Sequence, residues 1–308
     1  MGCMCGKESL SIDDRRFFIR QRLGEGGFSY VDLVEDAVSH KTYALKRILC
    51  HSKEEEQIAL QEVEVMRAVA HPNVIPLECH SFHKVGQYSK AVDITCEVFL
   101  VIPLYRRGTL QDRIDTLKLK KEKFTEDEIW KLMLGICKGI KALHDHNPPY
   151  AHRDIKPDNV MTHDDGTPVV MDLGSAAPAR MEIHTARQAT SLQDTAAERC
   201  SMLYRAPELF TVETNSSIDE RTDIWSLGCV LYALAYLESP FESAYQRGDS
   251  LALATMAGKI NFPDSSEYSS KINDIILWML KSDPQERPFI DQVLDRLHSI
   301  IHEGENRV

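Results

Sequence analysis

The junction between a long amphipathic helix and a short, crowded polar segment constrains this chain more than any other feature. From Thr125 to His146, the residues Ile129, Leu132, Met133, Ile136, Ile140 and Leu143 recur at spacings of mostly three and four, the single apolar stripe of a helix laid on a core. Thr125 and Glu128 have the spacing of a capping box at its start, and Asn147-Pro148-Pro149 stops it, because proline has no amide to donate. His144 and His146 read as helix-end residues, favourable at the negative end of the dipole, rather than as metal ligands. The helix then delivers Tyr150 to Met161, YAHRDIKPDNVM. Within eight residues, His152, Arg153, Asp154, Lys156 and Asn159 set a potential base, two cations and an oxygen ligand between apolar anchors. A solvated turn can hold any two of these; all five at this spacing suit chemistry on a phosphoryl group, with Asp154 as base and Asn159 on a metal ion.

Phosphoryl transfer needs further parts, and the upstream sequence offers candidates in order. Between Phe17 and Ile48 the runs FFIRQRL, YVDLVED and TYALKRIL are rich in alternating β-branched and aromatic residues, which predicts three antiparallel strands. Gly24-Glu25-Gly26-Gly27-Phe28-Ser29-Tyr30-Val31 turns the chain between the first two, where missing side chains let backbone amides approach phosphate oxygens. Ser29 stands where a third glycine would complete the pattern, which stiffens the turn. Lys46 lies late in the third strand, with Ala44 and Ile48 on its alternating face. Glu54 to Ala70 reads as a helix with Ile58, Val65 and Val69 in partial register, ended by His71-Pro72, and either Glu62 or Glu64 could reach Lys46. Two more strands are predicted around Ile75 to Phe82 and Val98 to Ile102, separated by a polar excursion containing Gly86. Residues 103–108, with Pro103 and Gly108, then divide a strand-rich part from a helix-rich part; backbone groups there could read an adenine, Pro103 accepting and Tyr105 donating.

Downstream of the polar segment, Asn159-Val160-Met161 and Val169-Val170-Met171 flank Asp164-Asp165-Gly166, a hairpin signal. The second run leads into Asp172-Leu173-Gly174, placing a carboxylate directly after a buried strand. Residues 175–205 are polar and hydroxyl-rich, with a short helix predicted from Thr190 to Arg199 in an otherwise irregular stretch of the kind that is usually functional. Ala206-Pro207-Glu208 closes it, and Asp223-Ile224-Trp225-Ser226-Leu227-Gly228 opens an apolar helix through about Tyr236. Further helices are predicted at Ser250 to Gly258, Ser270 to Lys281 and Ile290 to His302.

Composition removes several alternatives. With 36 Lys and Arg against 47 Asp and Glu, the formal charge of -11 gives no footprint for a nucleic acid. The eight cysteines show neither zinc spacing nor a secretory segment before them, so reduced thiols in a cytosolic protein are expected. No apolar run is long enough to span a bilayer, so membrane contact would be by attachment. Met1-Gly2 with Cys3 and Cys5 offers one: Gly2 for myristate and two thiols for palmitate, although Gly6 stands where Ser or Thr is usual.

The ordered set LGEGGFSYV, YALKRI, HRDIKPDN, MDLG, APE and DIWSLG resembles a eukaryotic protein kinase over about residues 20–302. The third-glycine Ser29, the N-terminal cysteines and RCSMLYRAPELF make it similar to the Numb-associated kinase group. The resemblance implies an α+β, bilobal fold: a tail over 1–19, a small antiparallel-sheet lobe with one main helix over about 20–102, a hinge at 103–108, a mostly helical lobe over about 109–302 and a short tail over 303–308. It implies a nucleotide site built from Leu23, Gly24, Glu25, Gly26, Gly27, Phe28, Ser29, Val31, Ala44, Ile102, Pro103 and Tyr105. It makes Lys46 the ligand of the α and β phosphates and Glu62 its ion partner, with Glu64 as fallback. Asp154 becomes the catalytic base, Lys156 the γ-phosphate contact, and Asn159 and Asp172 the holders of Mg²⁺, with Mn²⁺ as a possible substitute. Arg153 would meet a negative group on the 175–205 segment, and Glu208 would pair with Arg287. ATP as phosphoryl donor, protein substrates, autophosphorylation, and a peripheral place on Golgi or plasma membrane through acyl chains follow from the same resemblance. Leu173 replaces the usual Phe beside the metal-binding Asp, and Cys200-Ser201 replaces Gly-Thr, Ser201 keeping the hydroxyl that the resemblance places on Asp154 and Lys156. Two rivals stand beside this reading, a catalytically silent scaffold and a dual-specificity enzyme with tyrosine activity; oligomeric state is not legible.

Overall fold

The computed structural model describes residues 9–25, 29–84, 94–263 and 267–305. Gly2, Cys3, Cys5, Gly26, Gly27, Phe28 and Gly86 therefore lie outside the described residues. The chain divides into two units, one of Met1–Ala70 with Ile75–Tyr105 and one of His71–Val74 with Arg106–Val308.

Among the described residues, the first unit is a six-stranded antiparallel sheet and one helix. In chain order these are β1 (Ser9–Ile12), β2 (Arg15–Glu25), β3 (Ser29–Asp36), β4 (Thr42–Cys50), α1 (Lys53–Ala68), β5 (Cys79–Lys84) and β6 (Cys96–Pro103), and the strands lie in the order β1-β2-β3-β4-β6-β5. Alternation divides the sheet into two faces. On one, Val34, Tyr43, Leu45, Phe99 and Val101 pack with Ile12, Phe17 and Cys79 into a buried cluster. On the other, cross-strand register sets Val31 beside Lys46 and Leu100, and Leu33 beside Ala44 and Ile102. Residues 9–16, expected only in a tail, form β1 and the start of β2, with Ile12 fully buried beside Phe17 of the expected strand. Four residues of alternation are too few to announce such a strand. β5 starts four residues later than expected, after Pro76, which has no amide to offer a ladder.

The second unit is mostly helical. It runs through α2 (Leu110–Lys120), α3 (Glu126–His144), β7 (Tyr150–Ala151), β8 (Val160–Thr162), β9 (Pro168–Val170), β10 (Ala177–Pro178), β11 (Met181–Ile183), α4 (Ala186–Arg199), β12 (Ser216–Ile218), α5 (Arg221–Tyr236), α6 (Glu242–Gln246), α7 (Leu251–Ala257), α8 (Ser270–Met279) and α9 (Ile290–Glu305). The capping box of α3 forms as expected, with the Thr125 side chain accepting from the Glu128 amide and the Glu128 carboxylate from Thr125. α5 is the centre of the unit: every residue from Arg221 to Ala235 is buried. The His71–Val74 segment packs directly on α3, where a Cβ on Gly139 would lie 2.5 Å from the Asn73 carbonyl oxygen. No helix among the described residues is long and apolar enough to cross a membrane.

The stretch 175–205 is not the largely irregular one expected. Thr185 and Gln188 form a capping box for α4, which runs fourteen residues to Arg199. Ala189, Leu192, Ala196 and Cys200 pack with Ile183, Leu209, Val212 and Ile218 into a cluster of their own. α2, with its Thr109–Asp112 capping box, and the short α6 are additions to the expected helices. The stripe of α2 buries only Leu110 and Ile114, too little apolar signal to mark it in advance.

Candidate active site

In the first unit, Lys46 projects from β4 toward α1 and donates to both carboxylate oxygens of Glu62, at 2.8 and 3.1 Å. Glu62 belongs to the buried stripe of α1 with Ala59, Val63, Val65 and Met66, whereas Glu64 points to solvent, so the two candidate partners are resolved in favour of Glu62. Ser52 caps this helix by accepting from the Glu55 amide, and Glu54, Glu55 and Glu56 occupy its positive end. Across the sheet, Ala44 faces Ile102, and Val31 faces Gly24 on the other side of β3. A Cβ at Gly24 would meet nothing within 4 Å, and Leu23 beside it is 43% exposed, so this strand end presents bare backbone and an apolar side chain. That combination fits a roof over a nucleotide. Glu25 and Ser29 are the described edges of the turn, Pro103 ends β6 opposite Tyr43, and Tyr105 is half-buried, its hydroxyl pushed up by burial.

In the second unit, α3 hands the chain to β7 and so to the polar loop. The loop is held from below by Asp223, at the start of α5. Its carboxylate accepts from the backbone amides of His152 at 2.7 Å and Arg153 at 2.9 Å, and from His144 Nε2 at 2.9 Å. Burial raises the Asp223 pKa, but the His144 hydrogen bond and the backbone donors outweigh it and hold the group below the ordinary carboxylate range. The acceptors around the two imidazoles fix their tautomers. His144 donates through Nε2 to Asp223, and His152 donates through Nε2 to the Met171 carbonyl at 3.0 Å while its Nδ1 accepts from the Asp154 amide at 3.3 Å. Arg153 sits in the left-handed region at φ 65, a conformation that non-glycine residues keep only where surrounding contacts enforce it.

Asp154 is the hub. Its Oδ1 accepts from the Ser201 amide at 2.8 Å and its Oδ2 from Asn159 Nδ2 at 2.9 Å, while Lys156 Nζ lies 3.1 Å from Oδ2 and donates to Ser201 Oγ at 2.7 Å. The Ser201 hydroxyl thus meets Lys156 as expected, but the contact expected between that hydroxyl and Asp154 is made by the Ser201 backbone amide instead. Asn159 Nδ2 also donates to the Asp154 carbonyl at 2.8 Å, so both amide hydrogens are used and the side-chain oxygen is the atom offered to a cation. The Met171 amide donates to the Asn159 carbonyl at 2.9 Å, tying this loop to Asp172, which holds the left-handed φ of 59 that turns the chain after β9. One amide oxygen and one carboxylate suit a hard divalent cation that takes its remaining ligands from phosphate and water. Among the described residues no group of three or more His, Cys, Asp or Glu side chains gathers to hold a metal unaided.

One expectation changes in the segment that follows, and one is met. The negative group expected opposite Arg153 is a neutral pair of acceptors: its Nη2 donates to the Pro178 carbonyl at 2.9 Å and contacts Met181 Sδ at 3.1 Å. Burial lowers the Arg153 pKa. Arg205 donates to the Cys200 carbonyl at 2.6 Å, closing the last turn of α4 against the loop that carries Ser201. The Glu208–Arg287 pair forms as a fork, with both distances 2.7 Å and the Arg287 side chain fully buried. Asp223 and His144 are the site residues that sequence reasoning missed. In the sequence Asp223 is only the opening of an apolar helix, and its role depends on contacts about seventy residues away in the chain.

A sheet-borne lysine paired to a helix glutamate and an aspartate hub ringed by Lys, Asn and Ser are the working parts of a phosphotransferase. The family model for the protein kinase domain matches residues 17–298, and the chain belongs to that family. The chain is 44% identical over 298 residues to serine/threonine-protein kinase 16 of Rattus norvegicus, an alignment covering 97% of this chain and 94% of the relative, and equally so to the Homo sapiens protein of that name. Serine/threonine-protein kinase ENV7 of Saccharomyces cerevisiae is 30% identical over 356 residues, covering 97% of this chain and 96% of its own length.

Proposed function

We propose that this enzyme transfers the γ-phosphate of ATP to serine and threonine hydroxyls of protein substrates and of itself, with Mg²⁺, or Mn²⁺ in its place, and acts while attached to a Golgi or plasma membrane through acyl chains on Gly2, Cys3 and Cys5. The observation that carries the transfer is the ring Asp154–Lys156–Ser201. Asp154, held through both oxygens, aligns the acceptor hydroxyl and takes its proton. Lys156 bridges that carboxylate and the Ser201 hydroxyl, which positions its ammonium for the moving phosphoryl group. Lys46, fixed in direction by Glu62, supplies the charge that meets the α and β phosphates. Asn159 and Asp172 would hold the divalent cation, which when bound would supply positive charge to the phosphate oxygens. A lysine bonded to a serine beside the base favours aliphatic hydroxyls over tyrosine. Membrane attachment is supported by the sequence Met1-Gly2-Cys3 with Cys5 alone, since one acyl chain binds reversibly and two hold.

Mass spectrometry of the intact protein from eukaryotic cells, before and after incubation with ATP and Mg²⁺, tests both parts. The expected result is an acylated N-terminal fragment and new phosphoryl groups on Ser or Thr. Absence of any phosphoryl gain, or phosphotyrosine alone, overturns the transfer reading; an unmodified N-terminus overturns the attachment.

A further inference from the structure

The chain as a whole is acidic, yet the end of α2 is not: Leu117 to Phe124 reads LKLKKEKF, four lysines against one glutamate. Lys118, Lys120, Lys121 and Lys123 are all exposed, and Leu119 among them is 86% exposed. The inner face of this helix is set by the buried Leu110 and Ile114. At roughly 100° per residue, Leu119 lies about half a turn away from Leu110, with Lys118 and Lys120 to either side of it. The helix ends at Lys121, whose left-handed φ of 57 closes the turn with its amide on the Leu117 and Lys118 carbonyls, so the cluster is presented on fixed backbone. Lysines at a helix C-terminus are favourable to the dipole, which accounts for Lys118 and Lys120. It does not account for Lys123 beyond the helix, whose ion pair with Glu267 at 3.3 Å is solvent-exposed, nor for an apolar side chain at the outermost position.

We propose that this corner of the second unit is a contact surface for an anionic lipid membrane, with Lys118, Lys120, Lys121 and Lys123 on headgroup phosphates and Leu119 reaching the acyl boundary. Lysine stems can lie along the interface while their ammonium groups stay among headgroups, and an isolated leucine between them finds there the apolar surroundings it lacks in water. A protein partner would instead bury a contiguous apolar patch, whereas the residues around Leu119 on this helix turn are Asp115, Thr116, Lys118, Lys120, Glu122 and Lys123, none of them apolar. The cluster also answers the repulsion that a net charge of -11 would otherwise meet at an anionic surface. It is independent of acylation, since it needs none of residues 1–8.

The test uses the full chain prepared without acyl groups and sedimented with phosphatidylcholine vesicles, with and without phosphatidylserine. The parent is expected to favour the phosphatidylserine vesicles, and K118Q/K120Q/K121Q/K123Q to bind them at least about tenfold more weakly. Leu119→Ser is expected to weaken binding about threefold without changing its salt dependence. Activity on a soluble peptide stays at the parental level in both variants, which reports that they fold. The proposal is overturned if the parent has no preference for phosphatidylserine or if the quadruple variant binds as the parent does. It is equally overturned if Leu119→Ser changes nothing while a soluble polyglutamate competes as well as the vesicles, the result an acidic protein partner would give.

Discussion

Asp223 is a residue whose importance lies in what it accepts: two loop amides and one imidazole, all on a carboxylate with no exposed surface. An amide in its place has one acceptor oxygen where the carboxylate has two, so Asp223→Asn leaves a buried donor unpaired at a cost of about 1–3 kcal/mol. The same change lets His152 and Arg153 drift and should lower kcat at least about tenfold, since small misplacements of a catalytic group are costly. Its pH behaviour has a definite sign. The native pKa is depressed below the ordinary 3.8, so the stabilisation is fully present above that value and is lost as pH falls through the native one. Thermal unfolding should therefore show a constant deficit for the variant across neutral pH and a shrinking one below 3.8. A deficit that does not change on acidification would contradict this account. Lys46, Asp154, Lys156 and Asn159 could be picked out in the sequence because their chemistry is concentrated in short motifs. Asp223 and His144 could not, because an aspartate in DIWSLG and a histidine at a helix end each have an ordinary local explanation.

Among the elements, α4 makes the most consequential difference from expectation. Its C-terminal part, Thr190 to Arg199, was legible from Ala, Gln and Glu content, whereas its start depends on a Thr185–Gln188 capping box in a stretch that reads as polar and irregular. The tertiary cluster around Leu192 overrides that weak local signal. Leu192→Ala should cost about 2–5 kcal/mol of local stability, speed proteolysis between residues 185 and 200, and reduce turnover by loosening the Ser201 amide from Asp154. Nucleotide affinity should be unchanged, which separates loosening of the segment from general unfolding. Arg153 donates to the Pro178 carbonyl, and α4 is held by the apolar packing of Ala189, Leu192 and Ala196, contacts that call on no charged group. Phosphatase-treated enzyme is therefore expected to retain most of its kcat; loss of activity on dephosphorylation would show that the packed segment is not sufficient.

At the scale of the molecule, the partition into a strand-rich first unit and a helix-rich second unit is legible in the run of strand signals up to Ile102, the break at Pro103 and Gly108, and the helical stripe after Thr125. What stayed hidden were elements with too little periodic signal: the four residues of β1, the narrow stripe of α2 and the five residues of α6. Of the residues named in the proposed reaction, Lys46 and Glu62 belong to the first unit and Asp154, Lys156, Asn159 and Asp172 to the second. In the proposed reaction Asp154, set by Ser201, Asn159 and Lys156, performs the transfer. Its most direct test is the single-turnover rate of phosphoryl transfer from ATP to a serine-containing acceptor, measured for the parent and Asp154→Asn with nucleotide binding followed in parallel. The account predicts a fall of at least about a hundredfold in rate with nucleotide affinity held within about threefold. An Asp154→Asn enzyme that transfers at the parental rate would contradict it.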